Sequence, residues 1–226
     1  MAQNNKQNIF ESDVAELAKQ LRKPQGELGI QVGEGMNVGN QAMNLHSIAV
    51  LNPGKNEHIL EIGMGNGFFV KNILSLDSSI TYVGCDYSQD MIAEASRINQ
   101  DWITCGRAKF VEANVEKTEF KALSFDKIVT VNTIYFWENV AETLVHLKNL
   151  LKNKGELIIS FRPEKNMRKF PVTAHGFAFY NSKKLSNMLV NAGFVSVEIT
   201  EIKEPEEVLW DKKIVKEAVI IKAKKA

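Results

Sequence analysis

Cysteine is scarce in this 226-residue chain: Cys85 and Cys105 are the only two. Two are too few for a disulfide framework, and they stand at no zinc-ligand spacing. No metal centre is expected, and a reducing, cytoplasmic setting fits best. An excess of charge is missing too, since 28 Lys and Arg face 27 Asp and Glu for a formal net charge of +1. A protein built chiefly to hold a polyanion needs a basic surplus, which argues against nucleic acid as a partner. No apolar run approaches the length of a membrane span; the longest, such as residues 218–221, are strand-sized. The polar start, from Met1 to Asn8, has no apolar core of a secretory signal. Internal repeats and low-complexity tracts are lacking as well. What remains is 44% hydrophobic and 24% charged, ample for a sizeable core and unlike a disordered chain.

The length favours one α/β domain with a modest appendage. Residues 11–21 carry Val14, Leu17, Ala18 and Leu21 at helical spacing, which predicts an amphipathic helix. Residues 22–35 hold Pro24, Gly26, Gly29, Gly33 and Gly35, and read as a glycine-punctuated loop. Residues 36–51 read as helix again, and Pro53-Gly54 closes the segment. The expected division is an N-terminal helical cap segment, 1–54, and a main domain, 55–226.

In the main domain short apolar strands alternate with helices. Strands are expected at 58–63, 80–86, 108–113, 125–131 and 156–161. Helices are expected at 67–76, from Ser88 to about Gln100, and after Asn139, where Val140, Leu144, Leu147 and Leu151 form a stripe. That alternation is the signature of right-handed βαβ units and a parallel sheet. A helix at 182–192 is followed by strands at 194–202 and 217–224 with no helix between them. They should pair as an antiparallel hairpin at the sheet edge, joined by a long loop. The expected fold is therefore α/β: Rossmann-like and doubly wound, with a mostly parallel seven-stranded sheet, an antiparallel C-terminal hairpin strand and an N-terminal helical lid.

Glu61-Ile62-Gly63-Met64-Gly65-Asn66-Gly67 falls where the first strand gives way to the first helix. Glycine there permits positive φ and lets a ligand approach the backbone, and ligands of open α/β sheets bind at such strand ends. The dinucleotide fingerprint would need a third glycine at position 68, which is Phe68, and no Gly-Lys-Ser/Thr follows for a phosphate loop. A nucleoside without pyrophosphate suits the loop better. Asp86 closes the second strand, where a carboxylate can take both hydroxyls of a ribose.

These residues resemble a known family. Residues 55–162 look like the core of class I S-adenosylmethionine-dependent methyltransferases, most of all the bacterial small-molecule branch related to the quinone-biosynthesis methyltransferases. The likeness is carried by the E-x-G-x-G-x-G loop, by Val83-Gly84-Cys85-Asp86 with Tyr87 and Met91, by Phe125-Asp126-Lys127-Ile128-Val129, and by Leu151-Lys152-Asn153-Lys154-Gly155-Glu156-Leu157. It implies S-adenosyl-L-methionine as cofactor and S-adenosyl-L-homocysteine as product. Gly63 and Gly65 would pass under the methionine part, with Met64 and Gly67 in the same loop and Glu61 orienting it. Asp86 would bind the ribose, and Tyr87 and Met91 would pack on the adenine. Asn114 and Val115 occupy the positions where the family meets the adenine edge, with Asn114 in place of an acidic residue.

The fourth strand runs out into Asn132 and Tyr135, which should face the transferring methyl group. The Asn/Asp-Pro-Pro-Tyr/Phe motif of enzymes that methylate base or glutamine amines is absent here, which points to a small-molecule acceptor. Methyl transfer needs alignment and exclusion of water more than it needs a base, so no residue is obligatory. Tyr135 and His175 are the candidates; His175 lies beside Phe177, Phe179 and Tyr180 in a loop, 162–180, expected to overhang the strand ends. Asn37, Gln41 and Asn44 recur on one face of the N-terminal helix and suit a lid. Two other readings stay open, a non-catalytic cofactor-binding module and a nicotinamide-dependent oxidoreductase.

Overall fold

A computed structural model describes residues 13–209 and 212–226. The polar start and the first turn expected from Glu11 lie outside the described residues. Three helices come first: α1 (13–22), α2 (Gly26–Gly39) and α3 (Gln41–Leu51). The alternating region follows with β1 (His58–Ile62), α4 (Val70–Leu74), β2 (Thr81–Asp86), α5 (Gln89–Ile98), α6 (Gln100–Thr104) and β3 (Ala108–Glu112). It continues through β4 (Phe125–Val131), α7 (Val140–Leu150), β5 (Leu151–Phe161), α8 (Glu164–Met167), α9 (Ser182–Asn191), β6 (Ser196–Leu209) and β7 (Lys212–Lys224).

The strands form one seven-stranded sheet in the order β3-β2-β1-β4-β5-β7-β6. β1 to β5 pair in parallel, while β7 runs antiparallel to both β5 and β6. This is the expected doubly wound sheet with its reversed terminal hairpin. Alternate residues of β1 feed opposite layers. Leu60 and Ile62 pack with Leu144 of α7 and Leu185 of α9 on one face. Ile59 packs with Leu51 of α3 and Ile73 of α4 on the other. Side-chain caps fix the helix starts: Ser88 Oγ accepts the Met91 N–H at 3.2 Å, and Asn139 Oδ1 accepts the Glu142 N–H at 3.3 Å.

The structure corrects the sequence reading in three places. The glycine-rich stretch is helix α2, not a loop. Gly29 and Gly33 are buried in it, and a Cβ on Gly33 would stand 3.2 Å from Met91 Sδ of α5. Gly33 makes room for close contact with α5 and Gly29 for the backbone of Pro24, and that packing overrides their poor helix propensity. The helix expected at 36–51 is interrupted, because Asn40 leaves helical geometry (φ −117°, ψ 11°) between α2 and α3. Lastly, the long loop expected between the final strands is a β-ribbon paired out to Leu209 and Lys212. Its register slips between Lys203 and Glu206, so a bulge absorbs Pro205, which has no N–H to give to the ladder.

Candidate cofactor and acceptor site

A pocket opens at the carboxyl ends of β1, β2 and β4, where the strand order reverses. Its floor is the loop after β1. Gly63 adopts φ +67°, and a Cβ there would sit 2.3 Å from Thr133 Cγ2. Gly65 adopts φ +58°, and a Cβ there would meet nothing within 4 Å, so the loop leaves an open cradle above its backbone. Gly67 does not line the pocket; its missing side chain admits Ala95 and Asn99 of the α5 region instead. The close-packing glycine thus comes one residue before Phe68.

Asp86 lies under this cradle and is buried. One carboxylate oxygen accepts the Gly65 N–H at 3.1 Å and the other the Ser88 N–H at 2.9 Å. Burial raises its pKa, against the pull of those N–H groups. Glu61 is buried on the same wall and accepts the Tyr82 hydroxyl at 2.7 Å. Desolvation pushes its pKa up to about 7, with Asp86 adding to the rise and the Tyr82 bond opposing it. A buried carboxylate held so near neutral pH has one oxygen still available to a cationic ligand group.

Met64, Tyr87, Asn114, Val115 and Asn132 also line the pocket. Asn114 Oδ1 accepts the Glu116 N–H at 2.9 Å, so that oxygen also builds the turn after β3. Asn132 stands at φ +59°, and its Oδ1 accepts the Tyr135 hydroxyl at 2.9 Å. Besides Gly67, three expected site residues lie elsewhere. Met91 is fully buried behind the wall, against Gly33. Tyr135 is buried between Asn132 and the backbone N–H of Arg162, which donates to its hydroxyl, and it is not on the wall. Burial carries its pKa well above the ordinary phenol range, so it is no ready base. His175 is exposed and off the wall. The segment 162–180 does not overhang the pocket; it packs behind it, with Phe177 against Tyr135 and Phe136.

The N-terminal helices form the roof. Leu21, Arg22, Pro24, Met36 and Asn37 line the pocket together with Asn40 and Asn44. The break at Asn40 turns Gln41 outward and brings Asn40 itself to the wall, a residue that helical spacing alone does not select. The roof is tied down at both ends. The Tyr87 hydroxyl donates to the Arg22 carbonyl, Ser88 Oγ donates to the Pro24 carbonyl, and the Gly26 N–H donates to Asp90 at 2.7 Å. At the other end Lys216 Nζ donates to the Gly39 carbonyl at 2.8 Å, and Arg162 donates to that carbonyl and to Asn40 Oδ1, both at 3.3 Å. Arg162 and Lys216 are both buried around Glu204, with Arg162 at 2.9 Å from it. No sequence motif marks this cluster.

The architecture, with its glycine cradle at the point where the strand order reverses, is that of the Rossmann-like doubly wound class. Comparison with known proteins agrees. Residues 60–159 match the family model described as a methyltransferase domain. The uncharacterized methyltransferase YdaC of Bacillus subtilis is 24% identical over 128 residues, covering 57% of this chain and 68% of that protein. A tRNA U34 carboxymethyltransferase of Aliivibrio fischeri is 25% identical over 67% of this chain, which spans only 48% of that relative. Among solved structures, a SAM-dependent methyltransferase of Thermotoga maritima, described as a possible histamine N-methyltransferase, superposes with a TM-score of 0.66. It is 22% identical and covers 87% of this chain and 96% of its own. The chain thus shares the fold of S-adenosylmethionine-dependent methyltransferases, and its residues 60–159 are similar to a methyltransferase domain. Among the described residues, no helix is long and apolar enough to cross a membrane.

Proposed function

We propose that this protein binds S-adenosylmethionine and methylates a small-molecule acceptor, with S-adenosylhomocysteine as the product. The observation that carries the reading is the open cradle over Gly65 with the buried Asp86 carboxylate beside it. Gly65 lines the pocket, so a Cβ there would intrude on the space a ligand would occupy. Asp86 then serves the ribose, as hydrogen bonds to an ionised acceptor are the stronger kind. Glu61 faces the cationic amino-acid end, Tyr87 and Val115 flank the base, and Asn132 stands at the boundary with the acceptor. When bound, the cofactor supplies a sulfonium methyl group, already activated for in-line transfer. The chain's part is to orient the two reactants and keep water out, and the helical roof formed by α1, α2 and α3 serves both ends.

Calorimetric titration with S-adenosylmethionine, S-adenosylhomocysteine and NAD tests the cofactor. Binding of the first two and not the third is expected, and the reverse overturns the proposal. Incubation with labelled methyl donor and either a metabolite extract or bulk tRNA tests the acceptor. Label in small molecules is expected. Label confined to tRNA replaces the small-molecule reading, and no label in either leaves a binding module without turnover.

A further inference from the structure

The sheet order divides the pocket. Asp86 ends β2 and the glycine loop ends β1, so the nucleoside side lies over those strands. The other half lies over β4 and β5, where Asn132 follows one strand and α3 is fastened to the other by the Ser47–Ser160 hydroxyl pair at 2.6 Å. On this half the pocket is lined by four carboxamides, Asn37, Asn40, Asn44 and Asn132, and by the apolar Met36 and Phe136.

Every charged side chain that lines the pocket has a place outside that wall. Glu61 and Asp86 belong to the cofactor floor. Glu116 accepts the Asn139 N–H at 2.8 Å at the start of α7. Arg22 and Glu138 face each other at 3.8 Å at the exposed rim. Arg162 stands behind the wall, paired with Glu204 and directed at Gly39 and Asn40. The carboxamides themselves retain free valences of both kinds. Asn132 gives its oxygen to Tyr135 and keeps its amide hydrogens. Asn44 gives an amide hydrogen to the Asn40 carbonyl at 3.0 Å and keeps its oxygen. An ion placed there would lose its hydration and find no countercharge, whereas a neutral donor–acceptor edge would be matched.

Resting on the cofactor reading above, we infer that the acceptor is an uncharged aromatic molecule that presents both a hydrogen-bond donor and an acceptor to this wall. A nucleobase within RNA has such an edge too, but a formal net charge of +1 gives the chain no basic surplus to hold a polyanion. The free ring is the better fit.

The test uses benzamide, benzoate and benzamidinium, one shape with charges of zero, minus one and plus one. Binding of each to the protein saturated with S-adenosylhomocysteine is measured by ligand-observed NMR, beside a short RNA hairpin. Benzamide should bind at least tenfold more tightly than either ion. In Asn37→Asp, whose side chain has no hydrogen-bond partner to lose among the described residues, benzamidinium should overtake it. A preference for either ion in the parent protein, no binding by any of the three, or RNA displacing benzamide overturns the inference while the cofactor reading stands. Failure of S-adenosylhomocysteine itself to bind overturns both.

Discussion

Replacing Glu61 with glutamine should stabilise the ligand-free protein at pH 8 and change little at pH 5. The carboxyl is buried, and its pKa rises from 4.5 to about 7. In the unfolded chain it ionises near its ordinary value. Between pH 4.5 and 7 the folded protein therefore holds a proton that the unfolded chain has lost. Stability falls as pH rises through that window and is level above it. At about 1.4 kcal/mol per pH unit, the ionised carboxylate costs the fold about 3 kcal/mol at pH 8. Glutamine keeps the shape and still offers Tyr82 an acceptor, but has nothing to ionise. Urea unfolding of both proteins at pH 5, 6.5 and 8 measures the difference. The gain for Glu61→Gln should be small at pH 5, larger at pH 6.5 and about 3 kcal/mol at pH 8. Burial raises the pKa of Asp86 as well, but Asp86 is common to both proteins and cancels from the difference. A variant no more stable than the parent at pH 8 would refute the reasoning. The same substitution should weaken S-adenosylmethionine binding, because the carboxylate that strains the empty fold is the one that meets the cationic end.

Asp86→Ala should weaken S-adenosylhomocysteine binding by about 1.5–3 kcal/mol, the scale of hydrogen bonds to a charged group. Calorimetry showing unchanged affinity on a folded variant removes Asp86 from the site. Tyr135→Phe leaves the Arg162 N–H without its acceptor in a buried place and should lower unfolding free energy by about 1–3 kcal/mol, read by urea titration. No loss would mean that water replaces the hydroxyl. Gly33→Leu would drive a side chain into Met91, so hydrogen exchange across α2 and α3 should accelerate while that of β1 and β4 holds; uniform protection across all four would contradict the packing argument.

Local signals carry the sheet. Strand-length apolar runs and the caps at Ser88 and Asn139 need only neighbouring residues, and the parallel core with its reversed hairpin follows from their order. What is illegible depends on partners far along the chain. Gly33 of α2 disfavours helix by about 1 kcal/mol, and the compensation comes from Met91 of α5, far along the chain. Pro205 punctuates the sequence like a turn, yet a bulge keeps it within the ribbon. The site divides the same way. Gly63, Gly65, Asp86 and Asn132 reach the wall because strand ends must face the crevice. Met91 and Tyr135 go behind it because the pitch of a turn or helix decides facing residue by residue. Asn40 joins the wall only because α2 stops where it does.

The C-terminal ribbon pairs with β5 only along residues 219–224 of β7 and runs on past it, so it looks like a peripheral edge. Its bulge nevertheless brings Glu204 and Lys216 inward to the Arg162 cluster that holds Gly39 and Asn40. The pocket therefore has a foundation supplied by the last tenth of the chain, far in sequence from the wall it supports. Grafting that ribbon between relatives as an interchangeable module would carry the shape of the acceptor wall along with it. Divergence in substrate choice within such a family can then arise from substitutions that never touch the ligand.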